Sequence, residues 1–299
     1  GLDLFFKNTD RLATLLNQDV IEKAYIGILE LAKFAEKQLG ITVFERNNKQ
    51  VLVTNDGQLI LNKAKKVKVE LDDLLQLAQS NKQPFSSAMT IGVIPTIGPY
   101  LLPKVLPEVR KQYPDFKLKI IEEQSHVLVE KVRTGEIDAA ILALPYALNG
   151  LISFNFWQED FYWVCHKDEC PSKLTEITSD ELEIDKLMLL KDGHCLKDHA
   201  LAACKLQNKK QDTDFDSASL HTLIQMVAGK LGTTLVPQMA LDQLTFNASE
   251  LRAIHLNEPG PHRTIAFVIR PNYVRTNELT LLKKIFVEQL TEKCELPES

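Results

Sequence analysis

From Met89 onward the chain alternates short apolar runs with amphipathic segments, and this alternation narrows the possible folds more than any other feature. Met89 to Ile94 predicts a buried strand, Pro99 to Gln112 a helix, Lys117 to Glu122 a strand, Ser125 to Thr134 a helix and Asp138 to Ala143 a strand. A β-α-β-α-β order predicts a parallel sheet, because each crossover helix must pack back over the strands that it joins, and ligands then gather at the carboxyl ends of the strands. Lys186 to Leu190, Ser219 to Ala228, Thr233 to Val236 and Thr264 to Ile269 continue the pattern. They predict a second lobe and a return to the first. The expected class is α/β, with two lobes over residues 88–299: lobe I about 88–161 and 265–299, lobe II about 162–264.

The residues before this domain have a different periodicity. Leu12, Leu15, Leu16, Ile21, Ala24, Ile28, Leu31, Ala32, Ala35 and Leu39 recur at three- and four-residue steps and stop at Gly40, a helical pattern. Two β-prone pieces follow, Ile41 to Phe44 and Gln50 to Thr54, with Asn47 and Asn48 as turn residues and Asn55-Asp56-Gly57 after them. Helices followed by a small hairpin predict a winged helix-turn-helix over residues 1–57. From Gly57 to about Ser80 a single helix is expected, with Leu59, Leu61, Ala64, Val67, Leu71, Leu74, Leu75 and Ala78 on one side. Such a stripe usually packs against a twin, so residues 58–87 are expected to link and dimerise, ending at the hinge Gln83-Pro84-Phe85-Ser86-Ser87.

Composition limits the setting. The chain has 299 residues, 44% hydrophobic and 25% charged, as in an ordinary soluble globular protein of two or three domains. No apolar run approaches the roughly 18 residues of a membrane helix, no secretory leader is expected, and Gly1 in place of methionine suggests a trimmed start. Five cysteines cannot all pair within one chain, which argues against a secreted disulfide framework and for the cytoplasm. The net charge is −5, yet Arg46, Lys49, Lys63, Lys65, Lys66 and Lys68 face only Glu45 and Asp56 over residues 40–68. A local basic surface suits phosphate contact; a solvated helix face explains it equally well.

Two of the cysteines carry the chemistry. Cys195 lies among Lys191, His194, Lys197 and His199, which can supply positive charge or hydrogen bonds to a thiolate. Cys204 follows nine residues later in an apolar helical stretch, where burial keeps a thiol quiet. This asymmetry predicts that Cys195 attacks an oxidant and that Cys204 condenses with the resulting sulfenic acid. Chance burial of two free cysteines is the competing reading. A metal site of Cys195, His199 and Cys204 lacks the close ligand pairs that anchor zinc, so neither metal nor cofactor is expected. Cys165 is expected in the core, and Cys170 and Cys294 in polar surroundings.

Four pieces of the sequence carry a resemblance: Leu39 to Arg46 with Val53 to Gly57; Ile91 to Pro103; Asp192 to Cys195; and Gly232 to Pro237. Over about residues 39–285 the chain resembles LysR-type transcriptional regulators, and within them the branch that senses hydrogen peroxide. The resemblance implies a winged helix-turn-helix, a linker helix and a periplasmic-binding-protein-like regulatory domain. It implies that Cys195 is the peroxide-reactive cysteine and Cys204 its disulfide partner. It also implies that Thr96, His194 and Ser125, the last where threonine is usual, hold peroxide. Donors around the leaving oxygen lower the barrier, and Arg263 or Arg270 suits that task. Both arginines could instead form surface salt bridges, and Thr96 could simply cap the helix near Pro99. The implied partners are double-stranded DNA, hydrogen peroxide, RNA polymerase and further copies of the chain in a dimer of dimers.

The resemblance weakens at the front. Ala24 to Leu31 stands where the family's recognition helix opens, and it offers almost no base-reading side chains. Lys23, Tyr25, Lys33 and Gln38 are what the region supplies, so Lys33, Arg46 and Lys49 are the expected DNA contacts. Two other functions fit less of the sequence: a metabolite-responsive regulator of the same fold with no thiol switch, and a thiol peroxidase, in which the N-terminal helices would be idle.

Overall fold

The computed structural model describes residues 36–38, 40–47, 50–60, 62–63, 84–170, 174–191, 195–205, 219–245 and 250–294. The chain divides into two compact units, residues 1–75 and 76–299.

In the first unit, β1 (Phe44–Asn47) pairs antiparallel with β2 (Gln50–Val53), Phe44 opposite Val53 and Asn47 opposite Gln50. The hairpin begins later than the sequence suggests. The Glu36 carboxylate accepts the N–H groups of Val43 (2.8 Å) and Phe44 (2.9 Å), which ties off the residues before Phe44 and starts the ladder there. The following helix begins earlier, at residue 55, with the Thr54 hydroxyl oxygen accepting the Gly57 N–H at 2.9 Å. A side chain at Gly57 would strike the Val43 carbonyl, so only glycine permits this close approach. The expected helices of residues 1–35 and most of the linker helix lie outside the described residues.

The second unit has two five-stranded sheets. The first, in the order β4-β3-β5-β12-β6, holds β3 (Met89–Val93), β4 (Leu118–Glu122), β5 (Ala139–Leu144), β6 (Ile152–Glu159) and β12 (Arg263–Ile269). Helices α1 (Gly98–Gln112) and α2 (Ser125–Arg133) make its parallel crossovers. The second sheet, in the order β8-β11-β7-β10-β9, holds β7 (Phe161–His166), β8 (Glu176–Ile177), β9 (Leu187–Met188), β10 (Thr233–Pro237) and β11 (Leu251–Leu256). The chain crosses between sheets at Asp160 and again over residues 257–262.

Neither sheet is purely parallel, which corrects the expectation. β12 enters from the other sheet and runs antiparallel to β5 and β6, and β7 runs antiparallel to β10 and β11. Strand β5 shows why the centre was legible: Ala139 to Ala143 are wholly buried, the continuous apolar run of a strand covered on both faces. Helix α1 buries Leu101, Val105 and Val109 in the core at four-residue steps.

Four further α-helices lie among the described residues: α3 (Cys195–Ala203), α4 (Leu220–Ala228), the short α5 (Leu241–Thr245) and α6 (Thr276–Cys294). At the start of α6, buried Arg275 pairs with Glu278 and donates to the carbonyls of Ala88 (2.8 Å) and Ser87 (3.1 Å). This clamp fixes the serine-rich stretch ahead of β3. Among the described residues no helix is long and apolar enough to cross a membrane.

Candidate redox site where the two sheets meet

Cys195 is the first residue of α3 and is 4% exposed. A thiolate there meets the positive end of the helix dipole. The Ser125 hydroxyl, at the first residue of α2 and 2% exposed, hydrogen-bonds to its sulfur. Burial nevertheless dominates and pushes the thiol above its ordinary pKa, while Ser125 and the positive charge of Arg263 pull it back. The sequence reading gave this role to a ring of flanking cations. Lys191 is exposed, His194 lies outside the described residues, and a cation that does act on the sulfur is Arg263, 68 residues further along the chain.

Arg263 is 1% exposed and opens β12. Its Nε donates to Glu159 Oε1 at 2.7 Å, and both side chains are fully buried. It also donates to the Thr96 carbonyl at 3.2 Å and the Thr96 hydroxyl at 3.5 Å. This is a buried charge pair and not the surface salt bridge left open above. Glu159 is held in turn by the Met239 N–H, which donates to its Oε2 at 2.7 Å. Thr96 sits just past the carboxyl end of β3 and does not cap α1, whose N-cap is Ile97 with no side-chain bond. The fold thus brings Thr96, Ser125, Cys195 and Arg263 together from four separate elements.

Arg270 is not with them. At the far end of β12 it donates to the carbonyls of Val132 and Ile137, each at 3.4 Å, and lies 5.4 Å over the Tyr273 ring. Seven residue steps separate the two arginines, about 23 Å at strand rise, so Arg270 anchors α2 rather than serving the thiol. Among the other expected residues, His194, Lys33 and Lys49 lie outside the described residues. Arg46 occupies β1 opposite Val51.

The intervening segment is a helix, where the sequence reading left open an extended polar stretch. At a rise of about 1.5 Å per residue, α3 keeps the Cys195 and Cys204 Cα atoms on the order of 13 Å apart. A disulfide needs about 7 Å or less. Cys204 is 3% exposed, and its thiol is pushed up to about 12 by burial and by the nearby Glu258 carboxylate. Past it, Lys205 takes a positive φ of 56° and reaches Glu258 at 3.0 Å. Ser179 and Lys205 hold the Glu258 carboxyl down to about 2.

Sequence reasoning missed three further parts of the site. The Pro145 carbonyl accepts the Nε2–H of His199 at 2.8 Å, Tyr146 lies close enough to sense the Cys195 charge, and Glu159 orients Arg263. Leu144-Pro145 was the one available signal, a strand end with a missing N–H. His199 was expected to supply positive charge or a hydrogen bond. It is 3% exposed, and burial, with the field of Arg263, pushes its pKa below the ordinary 6.5, so at neutral pH the ring is uncharged. Cys170 is also corrected: it is 7% exposed and bonded to Cys165 in a disulfide.

A cavity of about 590 Å³ adjoins the site, lined by Thr96, Tyr100, Glu122, Ser219, His221 and Gln243 among others. It opens beside the N-terminal ends of α1 and α4. Burial pushes the Tyr100 hydroxyl up to about 12, so it stays a neutral donor.

The site is thus a buried thiol, a buried charge pair and a cavity at the junction of the two lobes of an α/β domain. The LysR substrate binding domain matches residues 82–291, and the chain belongs to the LysR family of transcriptional regulators. It is 35% identical over 263 residues to the HTH-type transcriptional regulator EstR of Acinetobacter baylyi, covering 87% of this chain and 86% of that one. To the DNA-binding transcriptional dual regulator OxyR of Escherichia coli it is 33% identical over 238 residues, covering 79% and 77%. The structure of a full-length OxyR variant from Pseudomonas aeruginosa superposes with a TM-score of 0.74 at 30% identity, covering 94% of this chain and 89% of that one.

Proposed function

We propose that the chain is a peroxide-responsive, DNA-binding regulator in which Cys195 is oxidised to a sulfenic acid and then forms a disulfide with Cys204. The observation that carries this reading is the environment of Cys195: a buried sulfur at a helix start, with Ser125 donating to it and Arg263 supplying charge. Those groups favour the thiolate and can stabilise charge on the oxygen that leaves. Peroxide is small enough to reach a thiol that larger oxidants cannot. The relatives named as OxyR and as hydrogen peroxide-inducible genes activators support the same chemistry. Thr96, Ser125 and Arg263 are the peroxide-holding groups.

Because α3 separates the two sulfurs, closing the disulfide must unwind it. Unwinding also removes the His199 to Pro145 bond and the Lys205 to Glu258 contact, both of which dock α3 on its surroundings. That change is what reaches the DNA-binding unit of an oligomer, assembled as a dimer of dimers, that contacts double-stranded DNA and RNA polymerase. Lys33, Arg46 and Lys49 are the DNA contacts, and the chain acts as a switch and not as an enzyme.

The test is mass spectrometry of alkylated peptides after one equivalent of hydrogen peroxide, with DNA footprinting beside it. Cys195 and Cys204 should leave the free-thiol pool together, and Cys195→Ser should abolish the peroxide-dependent footprint. An unchanged footprint response in that variant sinks the proposal. The cavity beside Thr96, together with the EstR relative, favours a second reading as a metabolite-responsive regulator, which predicts a thermal shift with a small acid and indifference to Cys195→Ser.

A further inference from the structure

The peroxide reading leaves one group of the site unused. His199 follows Cys195 by four residues on α3, so the two side chains neighbour each other on one face of the helix. Its Nε2–H donates to the Pro145 carbonyl at 2.8 Å, which fixes the tautomer and leaves Nδ1 as a bare acceptor. That Nδ1 is buried and, among the described residues, has no hydrogen-bond partner. An unsatisfied buried acceptor is costly, and a purely structural histidine at this position would have no use for it. The arrangement has the parts of an activated nucleophile: a sulfur, a base four residues along the same helix and not hydrogen-bonded to it in the resting structure, and a third group holding that base in the useful tautomer.

We propose that His199 is the proton acceptor of the thiol oxidation, its Nδ1 receiving the proton of Cys195 as the sulfur attacks peroxide. This rests on the peroxide reading above. The sulfur lone pair forms a bond to one peroxide oxygen, and the O–O bond breaks. The thiol proton passes to Nδ1 and returns from there to the departing oxygen. The products are a sulfenic acid and water, with sulfur oxidised by two electrons, peroxide reduced, and His199 again neutral. Ser125 already donates to the sulfur and Arg263 is committed to Glu159 and Thr96, so neither can take the proton. The lowered basicity of His199 keeps it unprotonated and able to act at neutral pH.

The experiment uses the full-length protein carrying Cys204→Ser, so that the sulfenic acid accumulates, and traps it with a dimedone-type reagent across pH 5 to 9. His199→Gln keeps a donor for the Pro145 carbonyl and removes the base. It should slow Cys195 sulfenylation at pH 7 by about a hundredfold, the lower range of general-base effects. It should also turn the pH profile into one that climbs steadily with hydroxide. In the parent protein the rate should instead fall only as His199 protonates, below pH 6.5. The charged groups acting on His199 are Arg263 of β12 and Asp198 of α3; Tyr146 after β5 feels Cys195 and Asp198 rather than the ring. Of these, Arg263 lowers and Asp198 raises the pH of that fall.

A folded His199→Gln protein with the parent's rate and profile overturns the proposal. If His199→Gln does not fold, the parent's own profile decides: ring titration by NMR that does not coincide with the fall in rate also overturns it. A parent Cys195 that peroxide never oxidises would instead bring down the peroxide reading itself.

Discussion

Two cysteine pairs in the same domain differ in the one property that sequence spacing cannot reveal. Cys165 and Cys170 are separated by five residues, Cys195 and Cys204 by nine. The first pair straddles the end of β7, where the Cys170 N–H donates to the His166 carbonyl and the chain turns back on itself. Their Cα atoms come within 6.1 Å and the sulfurs are joined. The second pair sits at the two ends of a helix that holds its sulfurs apart. A turn makes a disulfide part of the resting fold, and a helix makes it an event that must first undo structure. On the proposed reading, the difference separates a staple from a switch.

Removing the staple should have the largest effect on stability. Closing so short a loop is worth about 2 kcal/mol in the unfolded chain, so Cys170→Ser should lower unfolding free energy by roughly that amount in denaturant titration. The peroxide response of Cys195 should be unchanged. If Cys170→Ser silences that response, the two pairs are not independent and the contrast collapses. The next effect acts on the switch. Ala202 is exposed on α3, and Ala202→Gly weakens a helix interior by about 1 kcal/mol without touching packing. An unwound α3 should then be about fivefold more populated, and the Cys195 to Cys204 disulfide should form about fivefold faster once Cys195 is oxidised. Quenched-flow alkylation reads this rate. An unchanged rate would mean that helix opening does not limit closure.

How far these features were legible in the sequence follows from how local their causes are. The parallel core was readable because each strand and helix of β3-α1-β4-α2-β5 carries its own period. The antiparallel return of β12 was not, because it depends on the chain crossing lobes twice. Strands β6 and β11 and helix α6 were missed. Ile152, Ser153 and Asn155 dilute the apolar pattern of β6 with polar and exposed positions. In the site, Thr96, Ser125 and Arg263 could be named only through the family resemblance, since they lie 99, 70 and 68 residues from Cys195. Lys191 looked important because it is near in sequence, and Arg270 because it is an arginine seven residues from Arg263, which acts on the sulfur. Glu159 gave no signal at all: a carboxylate at a strand end is ordinary until the fold buries it against Arg263.

The smallest effect concerns the latch at the far end of α3. Glu258 is held low, near 2, by bonds from Ser179 and by Lys205. A carboxyl whose folded pKa lies below its ordinary 4.5 binds fewer protons in the folded state than in the unfolded one. Its contribution to stability is therefore complete above about pH 4.5 and is lost as the pH falls toward 2. Lys205 is 72% exposed, so solvent screens the pair and the contribution of that contact is no more than about 1 kcal/mol. Glu258→Gln should lower stability by that small amount at pH 7 and show less acid loss between pH 4.5 and 2 than the parent. At pH 7 the same variant removes the negative charge that helps to raise the Cys204 thiol and frees the end of α3. Cys204 should then react a fewfold faster with an alkylating reagent, while Cys195, at the other end of the helix, keeps its rate. Equal acceleration of both thiols would show that the latch governs the whole helix and not its last turn.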